Sequence, residues 1–384
     1  QGEIAAHLFE DIADEGMAGG LVFAWQDEWF KRTWNTMDLD DPNRRPFWSN
    51  VQTSEQNFGL LAFDPGEPGE GLFVDGDASD WTQEGTAPIP MKGSAVEAAV
   101  PDAEIKRMFV SSDERSVYFR LDFGQEGGPL DWSKLGATIL LDTIPNQGQH
   151  RIPGGSGLTT DAGIDFAIDL KGPGQSRIWV DSYYDSTYYQ YGSMLKMVPW
   201  LEYANKKDNG IFHRMTLVLN KRMSVPNVRG RTLELPLESY ETGSLRFGNG
   251  NPNSPDYDSL ADVAYDEKTN VVEARIPWQL LNVKDPSTRE IMGDLWQVGL
   301  EGSEETAGIK IAAVTYRANA KTGEDAPASR DIAYAMPALS GTVLRAQDMY
   351  LYQWDKWVTP TYRERLKKSY YIMQDLYAKT VLPN

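Results

Sequence analysis

The chain has no cysteine among its 384 residues, which excludes disulfide frameworks, thiolate zinc sites and cysteine nucleophiles together. The redox compartment stays open, because a chain without thiols suits either side of a cell envelope. Basic charge is scarce as well: 37 Lys and Arg stand against 56 Asp and Glu, a formal net charge of −19. Such a surface repels phosphate backbones and anionic headgroups, so nucleic acid and membrane surfaces are not expected partners. No apolar run approaches the roughly 20 residues of a spanning helix, and membrane insertion is not expected. Histidine is limited to His7, His150 and His213. They make no His-x-x-x-His or His-Glu-x-x-His spacing, which leaves a zinc hydrolase without support. Gly154-Gly155-Ser156-Gly157 lacks the Lys-Ser/Thr ending of a phosphate loop and reads as a flexible turn, so no nucleotide is expected. The opening Gln1-Gly2-Glu3-Ile4 does not read as a secretory leader. The chain is expected to be a mature or trimmed piece of something longer.

What the chain has is enough apolar material for a core, 41% of residues, and an unusual ring inventory of 12 Trp and 18 Tyr against 13 Phe. Rings with a polar handle suit sugars, which present apolar C–H faces and hydroxyl edges. The same rings are also favoured in strands for purely structural reasons.

Three segments are expected. Residues 1–64 begin with a helix, with Ile4, Leu8, Phe9 and Ile12 at helical spacing, broken by Gly16 and Gly19-Gly20. A buried strand over 21–25 follows and ends in Gln26-Asp27-Glu28-Trp29, and an aromatic strap carries Trp34, Phe47, Trp48, Phe58 and Phe63. The Gly- and Pro-rich run 65–71 is a boundary. Residues 72–345 switch to period two, with strands expected at 72–74, 105–110, 116–123, 137–141, 163–170, 176–181, 215–220, 271–276, 297–301 and 309–316. Short strands between turn signals point to a mainly β chain with a β-sandwich. Residues 346–384 are a strap, Tyr350 to Trp357, and a C-terminal helix within 360–382 carrying Leu366, Tyr370, Met373 and Tyr377.

Asp75-Gly76-Asp77-Ala78-Ser79-Asp80-Trp81, then Val117-Tyr118-Phe119-Arg120, Leu141-Asp142 and Glu273-Ala274-Arg275-Ile276-Pro277-Trp278 occur in an order that resembles family 9 carbohydrate-binding modules and the wider DOMON-like sandwiches. The resemblance spans about 72–317 and departs in insertions near 182–214 and 225–262. It implies a jelly-roll-like β-sandwich, sugar held between aromatic rings, and calcium. Some relatives bind haem through Met and His; Met194, Met197 and His213 are the residues available, and haem is not expected. Gly19-Gly20-Leu21-Val22-Phe23-Ala24-Trp25 with Asp27-Glu28-Trp29 resembles the last α/β unit of a clan A glycoside hydrolase (β/α)8 barrel. There a Trp at that strand end lines the sugar pocket, which would give Trp25 that role, and the catalytic carboxylates come from strands that would lie before Gln1. Asp27 and Glu28 do not replace them, because neighbours on an extended strand point to opposite faces.

The sugar-site candidates are Trp179, Asp181, Tyr183, Tyr184, Tyr188, Tyr189 and Trp200, together with Trp25. In a strand ending at Asp181, Ile178 and Val180 face one side while Trp179 and Asp181 face the other, free to stack and hydrogen-bond a saccharide. The alternative is that the tyrosines cover a second sheet. The calcium candidates are Asp75, Asp77, Asp80, Asp142 and Asp165, hard oxygen donors in turns; the alternative is aspartates that cap their own backbone. The expected function is that of a noncatalytic carbohydrate-binding accessory region of an extracellular, secreted or cell-surface bacterial glycan-processing protein. Its partners are a polysaccharide or oligosaccharide and either the remainder of a larger polypeptide or a second copy. The alternatives are a structural self-associating surface protein, or part of a glycoside hydrolase whose catalytic residues lie elsewhere.

Overall fold

The computed structural model describes residues 1–28, 31, 55–67, 69–96, 103–124, 128–154, 157–227, 229–318, 327 and 330–379. Trp29 and most of the expected strap, including Trp34, Phe47 and Trp48, lie outside them.

The chain is mainly β, built on two antiparallel sheets that share one core. The smaller runs Val263–Asp266, Val271–Pro277, Ser116–Phe123, Ile105–Ser112. The larger has Leu135–Asp142 and Ile309–Ala318 at its centre, with Phe166–Leu170, Arg177–Asp181 and Phe212–Arg214 to one side and Arg330–Met336 to the other. Alternation decides which side chains meet: Phe119, Leu121, Val272 and Ala274 from one sheet face Ile139, Leu141, Ile168, Ile311 and Ala313 from the other.

The larger sheet is buried on its outer face too. A three-stranded sheet of Gln149–Arg151, Thr159–Ile164 and Val343–Leu344 helps to form a second apolar layer. In that layer Leu140, Ala167, Trp179, Ala312, Val314 and Tyr316 meet Ile152, Ile164 and Leu344. A strand covered on both faces reads as a continuous apolar run, as Leu135–Asp142 does.

The chain ends meet. Helix Gly2–Asp14 lies against helix Lys368–Lys379, with Phe9 edge-on to Tyr377 at 4.9 Å. Gly2 is required there: a Cβ at this position would sit 2.7 Å from the Ser369 Cα. Strand Leu61–Pro65 pairs antiparallel with Tyr362–Leu366, Leu61 opposite Leu366, so the segment expected to be one C-terminal helix is a strand followed by a helix.

Three expected strands are corrected. Residues 21–25 form no strand; Leu21 is fully exposed and Phe23 is 72% exposed. Among the described residues their apolar run has no ladder partner beyond a single bridge from Gln26 to Leu61 and the Leu60 and Leu61 N–H groups that donate to the Trp25 carbonyl, and a strand without a neighbour leaves its backbone groups to water. Residues 72–74 belong to no strand; the Val74 carbonyl accepts from the Gly250 N–H at 2.7 Å. At 297–301 the chain instead leaves a short helix, Leu295–Val298, because the Asp294 side chain accepts from the Trp296 N–H and starts a turn.

Candidate functional site

Strand Arg177–Asp181 alternates as its sequence indicates, but the face carrying Trp179 is the second apolar layer, not solvent. Trp179 is 3% exposed, and its indole points its N–H at Asp169, 3.4 Å away. Asp181 is fully buried, accepting from Gln149 Nε2 at 2.5 Å and from the Tyr183 N–H at 3.0 Å. Burial pushes its pKa up to about 6, against the hydrogen bonds that favour the ionised form. Tyr184 is buried against Phe166 and donates to the Met292 carbonyl. Tyr183 donates to Asp294 Oδ1 at 2.7 Å, and Tyr188 receives the Leu201 N–H at 2.6 Å. Trp179, Asp181, Tyr183, Tyr184 and Tyr188 are therefore enclosed by their own chain. In this structure each is hydrogen-bonded within the fold.

The local sequence explains the enclosure. Asp185 caps the turn Ser186–Tyr188 by accepting the Tyr188 N–H at 2.9 Å, and its other oxygen holds His213 Nδ1 at 2.9 Å. His213 Nε2 in turn meets the Tyr203 hydroxyl at 3.1 Å. This Asp–His–Tyr chain fixes the segment on the neighbouring strand Phe212–Arg214 and turns its tyrosines inward.

What remains at the surface is a smaller ring group. Trp200 is 51% exposed and stands edge-on to Trp296 at 5.8 Å; Trp296 is also edge-on to Tyr189 at 5.0 Å. Trp296 is held by its indole N–H, which donates to the Tyr183 carbonyl at 3.0 Å. Beside these rings Lys207 pairs with Asp294 at 2.9 Å, and Gln297 donates to the same carboxylate at 2.9 Å. A half-exposed indole buttressed by one ring, which a second ring supports in turn, and edged by a carboxylate, an ammonium and an amide offers a C–H-stacking face with donors and acceptors at its rim. Trp296 immediately precedes the expected strand 297–301 and is not among the expected sugar contacts; the cue for it is Asp294 preceding Leu-Trp, an N-cap pattern. Trp25 lies apart from this group, edge-on to Tyr370 at 5.8 Å.

The motif acids have structural partners. Asp75 accepts from the Asp77 N–H at 2.9 Å and from Asn251 at 2.8 Å, Asp77 accepts from the Ser79 N–H at 3.0 Å, and Asp80 accepts from the Phe73 and Trp81 N–H groups at 2.8 and 2.7 Å. Glu273, fully buried on the smaller sheet, closes the loop: it accepts from Gly76 N–H at 2.9 Å, Asp75 N–H at 3.2 Å and Trp81 Nε1 at 2.8 Å. Gly76 supplies the positive φ, +85°, that this turn requires. Burial, reinforced by the nearby Asp80 charge, lifts the Glu273 carboxyl to about 8, and burial lifts Asp80 to about 6. Asp142 pairs with Lys310 at 3.1 Å. Asp165 accepts from the Thr143 and Ile144 N–H groups at 2.7 and 3.0 Å. Among the described residues no three acidic or histidine side chains converge as metal ligands, and in this structure the calcium candidates brace turns and strands through the contacts above. Asp27 holds Lys367 at 2.5 Å, and Glu28 lies 3.5 Å from Lys31.

No protein-family model, curated protein or solved structure matches this chain.

Proposed function

We propose that this chain is a noncatalytic, DOMON-like carbohydrate-binding accessory region of an extracellular bacterial glycan-processing protein, and that the surface of Trp200, Trp296 and Tyr189 is its sugar platform. The observation that carries the reading is the half-exposed Trp200, held in place by a buttressing ring yet left open on one face. A large apolar ring kept at the surface by its own scaffold marks a contact site. Affinity electrophoresis through gels containing soluble β-glucan, xylan or mannan tests it. At least one gel should retard the protein, and Trp200→Ala should migrate as in a gel without polysaccharide; equal mobility of both proteins in every gel would count against the platform.

A second reading, self-association, is favoured by the apolar face of the N-terminal segment, where Ile4, Leu8, Met17, Leu21 and Phe23 are all exposed. Its occupant would be a second copy of this chain. Sedimentation across a hundredfold concentration range should then show mass growth that Phe23→Glu abolishes; a constant monomer mass removes this reading.

A further inference from the structure

Between the paired chain ends and the smaller sheet lies a cleft of about 1390 Å³. Its charge differs from that of the chain as a whole: acids outnumber bases 56 to 37 overall, whereas seven basic side chains line this cleft against six acidic ones. Most of the bases are engaged. Arg365 grips Asp64 with two contacts of 2.5 and 3.0 Å, Lys367 holds Asp27 at 2.5 Å, and Arg246 holds Asp258 at 2.6 Å. Arg275 and Arg363 donate to the carbonyls of Ala261 and Pro65 at 2.7 and 2.6 Å.

Arg115 is different. It sits at the start of strand Ser116–Phe123, where its backbone N–H and carbonyl are fixed by Asp113 and Trp278. Arg115 is a partly buried residue, and its side chain makes no hydrogen bond or ion pair among the described residues. It lines the cleft together with Asp27, Asp64 and Asp262 from three other segments. A carboxylate received on the planar fork of such a guanidinium gains two charge-assisted hydrogen bonds. Tyr257 adds a half-exposed ring beneath Arg365 and Lys368, 5.6 and 5.7 Å from its centroid.

We propose that this cleft binds an acidic sugar, a hexuronate unit of a polysaccharide, with the Arg115 guanidinium receiving its carboxylate. The saccharide part rests on the carbohydrate reading above; the anionic part rests on the cleft alone. Titration calorimetry with trigalacturonate and with its methyl ester tests it at low salt. The acid should bind at least tenfold more tightly than the ester, Arg115→Gln should abolish that preference with an unchanged Tm, and Arg115→Lys should restore part of it. Equal affinity for acid and ester, an unaltered Arg115→Gln, or no heat from either ligand would overturn the proposal. Trp200→Ala separates the two sites: it should keep trigalacturonate affinity while losing neutral polysaccharide. Loss of both ligands in that variant would contradict a distinct cleft site.

Discussion

Glu273 gives the most quantitative test of how the loop and the sheet are joined. Its carboxyl titrates at about 8 in the folded protein against an ordinary 4.5, because burial disfavours the charge. The folded state therefore keeps a proton that the unfolded chain releases, and stability falls as pH rises from about 4.5 to about 8. Between about pH 5 and about pH 8.5 this one group should remove about 4 kcal/mol of folding free energy. Glu273→Gln cannot titrate. Its carbonyl oxygen keeps the Asp75 and Gly76 N–H groups, but its amide then confronts the Trp81 indole N–H, a mismatch worth about 1–3 kcal/mol. The variant should be the less stable protein near pH 5 and the more stable one near pH 8.5, as read by urea denaturation monitored by fluorescence. Comparing the two proteins at each pH cancels the titration of Asp181, whose pKa is also raised, and leaves in the difference only Glu273 and its coupling to Asp80. A stability difference that stays constant across that range would refute the buried, raised carboxyl.

Trp179→Ala should destabilise the fold by about 3–5 kcal/mol, because it empties a site in the outer apolar layer. Folded Trp179→Ala should still bind whatever polysaccharide the parent binds, and a variant with unchanged Tm but lost binding would return Trp179 to the sugar site. EDTA should leave Tm in place, since Asp75, Asp77 and Asp80 spend their oxygens on backbone N–H groups and Asn251; a fall reversed by calcium would assign that loop a metal.

Strands with strong apolar alternation were legible: the expected 116–123 coincides with Ser116–Phe123, and 137–141 lies inside Leu135–Asp142. The Asp75–Trp81 and Glu273–Trp278 motifs, far apart in sequence, are joined by a hydrogen bond across 198 residues, through which Glu273 anchors the loop. Period two shows that Trp179 and Ile178 face opposite ways, but not whether the second face meets water or another layer, because both give the same local pattern. That is why most of the expected sugar contacts turned out to be core. Residues 21–25 failed for the converse reason: an apolar run specifies a strand only when another strand is present to pair with it.

The sugar platform is tested most directly by indole N–H resonances in a protein labelled with nitrogen-15, titrated with oligosaccharides from the polysaccharide that retards it. The Trp200 and Trp296 resonances should shift and saturate together, while those of Trp81 and Trp278, sealed in the interior, stay fixed. Saturating ligand that leaves Trp200 and Trp296 unmoved would contradict the account.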